Sequence, residues 1–184
     1  MMNQVFAAAS AGLLLLLGPP AQAQCLPLTQ LLVLAHQSAA VTQMVVTGAA
    51  PHSLLQRILP ADEWAYQGPV GSTRDYYWTN LEPGARAGQR PTSWLSLRPA
   101  QATHDVVLKT TAGGCIRQLR RELEQQQLHP EAVTCLDCEG VRYQAPAYNV
   151  TIYSGRPGDY PFVLVLRQLP APAAEAQPAA VRQP

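Results

Sequence analysis

All four cysteines of this 184-residue chain, Cys25, Cys115, Cys135 and Cys138, lie downstream of a segment that reads as an export signal. That placement constrains the fold more than any other feature. An even number of thiols carried into an oxidising compartment forms disulfides, so the expected product is a compact body braced by cross-links.

The leader spans residues 1–23. Residues 13–17 are its apolar centre, Gly18-Pro19-Pro20 breaks the helix, and Ala21-Gln22-Ala23 puts small residues at both positions that cleavage reads. One feature departs from the pattern, because no Lys or Arg precedes the apolar run. The run is much shorter than the roughly 20 residues that cross a bilayer, so no stable membrane span is expected. Cys25 directly follows the cleavage region and raises lipid attachment. Gln24 stands where that chemistry needs a small residue, and Gln22 where an aliphatic one is usual. A periplasmic or secreted bacterial protein is therefore the expectation, not a lipoprotein.

Residues 24–168 read as one α+β domain, and 169–184 as a disordered Pro/Ala-rich tail. Leu28, Leu31, Leu32, Ala35 and Ala39 recur at helical spacing, with Pro27 at a tolerant first-turn position. A second short helix is expected over 54–59, closed by Pro60. Beyond it the chain becomes strand-like at residues 64–66, 76–79, 93–98 and 105–109, with an exposed loop over 83–91. Gly113-Gly114 opens the clearest helix, with Ile116, Leu119 and Leu123 as its apolar stripe, ending at His129-Pro130. Arg117, Arg120 and Arg121 crowd its N-terminal half against the macrodipole, so packing must hold it. Strands follow at 132–135, at 141–153 with an interruption at Pro146, and at 161–167; the last is apolar on both faces and belongs in the centre of the sheet.

The fold expected is thus helices packed on one face of an antiparallel sheet, with two tandem helix-plus-sheet halves, 25–110 and 111–168. Each half begins at a cysteine and a helix, Cys25 or Cys115, and ends in an apolar strand closing on Leu-Arg, Leu97-Arg98 or Leu166-Arg167.

Three disulfide pairings are possible among four cysteines. A bridge from Cys115 to Cys135 or Cys138 would pin helix to sheet, closing about 20 residues for roughly 3 kcal/mol, and is the favoured expectation, with Cys25 taking the remaining thiol. A Cys135–Cys138 ring would be strained unless a turn forms there. Cys135-Leu136-Asp137-Cys138 also has redox spacing, but a strand precedes it, and Asp137 and Glu139 oppose thiolate formation. Zinc needs two close cysteine pairs, which Cys25 and Cys115 do not supply in sequence.

His36, His52, His104 and His129 form no metal pattern, and Asp62, Glu63, Asp75, Asp137 and Glu139 show no glycosidase spacing. Nucleophile-elbow, P-loop and dinucleotide motifs are absent from the sequence, so no catalytic residue or cofactor is assigned. A net charge of +1 gives no field for nucleic acid. Aromatic residues are more informative. Tyr66, Tyr76 and Trp78, if they share an exposed face, would form a platform for a sugar ring, peptide or envelope polymer. Trp64 and Trp94 are assigned to the core. Twelve arginines against one lysine add planar donors for carboxylates.

The order helix, Trp64-Ala65-Tyr66, Tyr77-Trp78, Trp94 to Leu97, a Val-Val-Leu-Lys strand, a cysteine-headed helix and Tyr148 to Ile152 resembles small exported bacterial proteins of unknown function. The resemblance covers residues 60–167 and implies an exported α+β domain without site residues. At fold level the paired halves look like tandem-repeat protease or β-lactamase inhibitors, which transfers no function. The expectation is a non-enzymatic binding module for an envelope or extracellular protein or polymer. Its alternatives are a thiol-disulfide or metal protein at Cys135 and Cys138, and a purely structural envelope protein.

Overall fold

A computed structural model describes residues 25–46, 58–59, 62–69, 76–80, 88–100 and 103–169. The expected leader, the expected tail from 170 onward, and most of the expected second helix and 83–91 loop lie outside the described residues.

The chain forms helix α1 (Leu28–Val46) and strands β1 (Trp64–Pro69), β2 (Tyr76–Asn80), β3 (Ser93–Ala100) and β4 (Thr103–Thr110). Helix α2 (Gly113–Gln125) and strands β5 (Glu131–Val133), β6 (Glu139–Gln144), β7 (Tyr148–Ser154) and β8 (Phe162–Gln168) follow. All eight strands join one antiparallel sheet in the order β1-β2-β3-β4-β8-β7-β6-β5. Read from either edge, the sheet is four consecutive strands of one half meeting four of the other at β4 and β8. Halves 25–110 and 111–168 therefore each supply a helix and a four-stranded meander. The Leu-Arg pairs are not equivalent, however: Leu97-Arg98 lies in β3, the third strand of its half, and Leu166-Arg167 in β8, the fourth. The matched composition came from two strands that occupy different places in their meanders.

Alternation along each strand fixes two faces. Leu95 and Leu97 on β3, Val106 and Leu108 on β4, Leu164 and Leu166 on β8, and Val150 and Ile152 on β7 are buried. Register aligns them on one face: Leu97↔Val106, Val106↔Leu166 and Val150↔Leu166. Leu31 and Leu34 of α1 and Ile116, Leu119 and Leu123 of α2 complete the same core cluster. Helix α1 meets the sheet at β4 and β8 and also touches α2. Leu34, not Leu32, lies fully on its buried stripe, because Leu28, Leu31, Leu34, Ala35 and Ser38 share that face. Ile58 and Leu59 join the core.

One tertiary contact and several local backbone bonds satisfy the helix ends. The Leu28 amide, an orphan donor at the start of α1, donates to Glu122 Oε2 of α2 at 2.6 Å. Helix α2 has no side-chain N-cap and no acid in its first turn, as expected of a helix held by its buried stripe. It stops at Gln125, before the expected His129-Pro130. Gln127 takes a left-handed φ of 60°, its amide donates to Glu124 O, and the Leu128 amide donates to Leu123 O. These are the paired bonds of a Schellman ending, with Leu128 folded onto the core.

Candidate functional site

Of the expected aromatic platform, Trp78 belongs to the core and so presents no exposed ring. Tyr66 on β1 pairs with Trp78 on β2, and Trp78 pairs with Leu95, so both rings project from the core face. Trp78 is only 3% exposed and belongs to the core. Tyr66, on the outermost strand, stays 45% exposed with its ring centroid 5.4 Å from that of Trp78. The side chain of Tyr76 lies outside the described residues. Trp64 is buried as expected, and its indole N–H has no hydrogen-bond partner. Trp94 is the opposite correction. Its neighbours Ser93 and Leu95 take the core face, so Trp94 projects from the second face and is half-buried.

The cysteine pairing also differs from the favoured expectation. Cys25 bonds Cys115, with Cα atoms 5.2 Å apart, and Cys135 bonds Cys138. The first bridge joins the chain just before α1 to the first turn of α2, so it ties helix to helix, not helix to sheet. Cys115 sits on the buried side of α2, while β5, β6 and their turn form the far end of the sheet. The short ring forms because a turn is present: Asp137 adopts φ 54° between β5 and β6. At its tip Leu136 is 89% exposed. All four sulfurs are thus paired in disulfides. Among the described residues no three His, Cys, Asp or Glu side chains gather as metal ligands, and no helix is long and apolar enough to cross a membrane.

The second face holds a feature that sequence reasoning missed. A cleft of about 420 Å³ is lined by Trp94, Ser96, Lys109 and Val163 from β3, β4 and β8, and by Arg156, Pro157, Asp159 and Tyr160 from the β7–β8 turn. The strand residues are cross-strand neighbours, since Lys109 pairs with Trp94 on one side and Val163 on the other. Trp94 and Tyr160 meet edge to face with centroids 6.5 Å apart.

That turn is fixed at several points. The Arg156 amide donates to Pro161 O, and Gly155 and Gly158 supply the positive φ angles the reversal needs, 71° and 112°. The Tyr160 hydroxyl donates to Pro91 O at 2.8 Å, and Arg90 forms an ion pair with Asp159. Burial pushes the Tyr160 phenol up from its ordinary value; a hydrogen bond from Trp94 pulls it down, Asp159 raises it and Arg90 lowers it. The Arg156 guanidinium stands 5.9 Å above the Tyr153 ring.

Among the described residues, alternation places Arg98, Lys109, Arg142 and Arg167 on this face with two strand acids, Asp105 and Glu131, the latter paired in register with Arg142. Arg167 donates to both carboxylate oxygens of Asp105, at 2.8 and 2.6 Å, which raises the Arg167 pKa further above its ordinary value. Small residues between the large ones are hidden by them, so Ser96, Val107 and Thr151 are buried although their face lies opposite the core.

A larger cavity, about 740 Å³, lies beside the Cys25–Cys115 bridge, lined by Leu26, Gln30, Glu63, Trp64, Gly114 and Gln118 among others. Glu63 is the one charged side chain among its described lining residues, which also include Ala112, Gly114 and Cys115 at the start of α2. Comparison with protein-family models, with curated proteins and with solved structures finds no match for this chain.

Proposed function

We propose that the protein is an exported, non-enzymatic binding module whose helices cover the core face of the sheet and whose second face holds the ligand. The observation that carries this reading is the cleft over β3, β4 and β8. It combines a half-buried tryptophan on β3, an edge-on tyrosine, and two cations, Lys109 on β4 and Arg156 in the β7–β8 turn. Its volume falls in the range of small-ligand sites. The two disulfides support export, because such bonds persist in oxidising compartments. Thiol-disulfide exchange at Cys135 and Cys138 is the weaker alternative: neither sulfur starts a helix, and Asp137 and Glu139 stand beside them.

The test is a titration of the purified mature protein with solubilised envelope polysaccharide and peptidoglycan fragments, following the three tryptophan indole N–H signals by NMR. A saturable shift at Trp94, abolished in a Trp94→Ala variant that keeps its near-ultraviolet circular dichroism, is expected. Saturable binding that survives Trp94→Ala would place the ligand elsewhere.

A further inference from the structure

The two disulfides stand in different surroundings, and that difference is independent of the cleft. Cys25–Cys115 joins residues 90 apart, and Cys115 is 2% exposed on the inner side of α2. The opening beside this bridge, about 740 Å³, has the size of a small-molecule site, too small to seat the surface of a protein. Cys135–Cys138 joins residues 3 apart in the turn between β5 and β6. Both of these cysteines are half-buried, and Leu136 and Asp137 between them are exposed. A protein can reach this bridge at the far end of the sheet without parting the two helices.

Little besides the bridge holds the strand that precedes it. Strand β5 is three residues long, lies at the edge of the sheet and pairs with β6 alone. Glu131 and Ala132 are exposed, and the half-buried Val133 rests on Gly140, where a Cβ would stand 2.6 Å from Val133 Cγ2. Upstream, Leu128 is packed against the core. Between Leu128 and β6 the ring is therefore the covalent fixture of a short, solvated hairpin, which would be marginal by its own pairing.

Thiol-disulfide exchange needs an accessible disulfide and an attacking thiolate, and the thiolate can belong to another molecule. Neither Cys135 nor Cys138 starts a helix, so the pair is not built to attack. As the pair attacked, it needs only to be reachable, and exposed disulfides are the labile class. We propose that Cys135–Cys138 is a reversible redox modification site, opened by a protein dithiol of the thioredoxin-fold class while Cys25–Cys115 stays closed, and that its opening loosens β5 from the edge of the sheet. A thiolate of the dithiol attacks one sulfur, which forms a mixed disulfide and releases the other cysteine. The second thiolate of the dithiol then attacks the mixed disulfide and releases the remaining cysteine. Two electrons pass to the pair, the protons given up by the dithiol convert it to two thiols, and the dithiol ends as a disulfide.

The folded protein is incubated with reduced thioredoxin, and the thiols that appear are blocked with iodoacetamide. Remaining bridges are opened with dithiothreitol in urea and labelled with N-ethylmaleimide, and the peptides are weighed by mass spectrometry. Iodoacetamide is expected on Cys135 and Cys138 at roughly ten-fold or more the level on Cys25 and Cys115. Hydrogen exchange then compares the oxidised protein with a Cys135→Ser/Cys138→Ser variant. Amides that pair β5 with β6 should exchange roughly ten-fold faster or more in the variant, and those of β4 and β8 alike in both.

Labelling of Cys25 and Cys115 first or equally would overturn the modification site. So would absence of iodoacetamide from all four cysteines while dithiothreitol in urea opens both bridges. Unchanged exchange at β5 in the variant would overturn the coupling to the sheet edge. Faster exchange at β4 and β8 as well would make the bridge a support of the whole fold and overturn the local role.

Discussion

Replacing Cys25 and Cys115 by alanine removes a link between residues 90 apart, whereas replacing Cys135 and Cys138 removes one between residues 3 apart. In the chain-entropy model the loss grows with the logarithm of the loop, giving about 4.6 kcal/mol for the long loop and about 1.6 for the short one. The difference, about 3 kcal/mol, is large beside the roughly 5–15 kcal/mol that holds a typical domain together. The structure adds to it in the same direction, because Cys115 is buried and the bridge anchors the start of α1 next to the Leu28–Glu122 hydrogen bond. Equilibrium unfolding in urea measures both double variants against the parent. With a slope of about 1.5–2 kcal/mol per molar urea, the two midpoints should stand about 1.5–2 M apart, the Cys25/Cys115 variant being the weaker. Equal midpoints, or a Cys135/Cys138 variant that unfolds first, would refute both the pairing and the claim that the helices depend on it.

Two further perturbations separate the faces and the burial of the rings. Trp78→Ala should cost about 3–5 kcal/mol in the same urea experiment, as a large core ring lost, and Tyr66→Ala about 1; a Trp78→Ala variant as stable as the parent would mean the ring is not in the core. Burial raises the phenols of Tyr143, Tyr148 and Tyr160 above their ordinary 10.0, with Glu124 adding to the rise at Tyr143 and Arg120 opposing it. A group whose folded pKa exceeds its unfolded value contributes stability that is complete below the unfolded pKa and is lost as pH rises through the folded one. Stability should therefore hold up to about pH 10 and fall above it, and absorbance at 295 nm should show Tyr143, Tyr148 and Tyr160 ionising later than in the urea-unfolded chain. Seven tyrosines titrating together near pH 10 in the folded protein would sink that reasoning.

Local chemistry made much of the architecture legible. Residues 162–166 announce a strand apolar on both faces, and β8 does lie between β4 and β7 with Leu164 and Leu166 fully buried. The Ile116-Leu119-Leu123 stripe named the buried side of α2 because helical spacing depends on no distant partner. The early end of α2 was hidden for a related reason: a glutamine, not a glycine, takes the left-handed position at residue 127.

What the chain alone determined is therefore periodic: the strand segments, the buried stripe of α2, and that the thiols come as an even set. What only the tertiary structure decided is which of two alternating faces each strand turns inward, and which distant groups meet. Strand periodicity states that Trp94 and Leu95 point apart, but the register β2–β3–β4 decides that Leu95 is inside and Trp94 outside. The same holds for Cys25 and Cys115, brought together by packing α1 against α2, and for a cleft that collects residues 94, 109 and 156–163. Spacing along a sequence fixes neighbours within one element; contact across elements is set by the burial of the whole apolar face, which no local pattern contains.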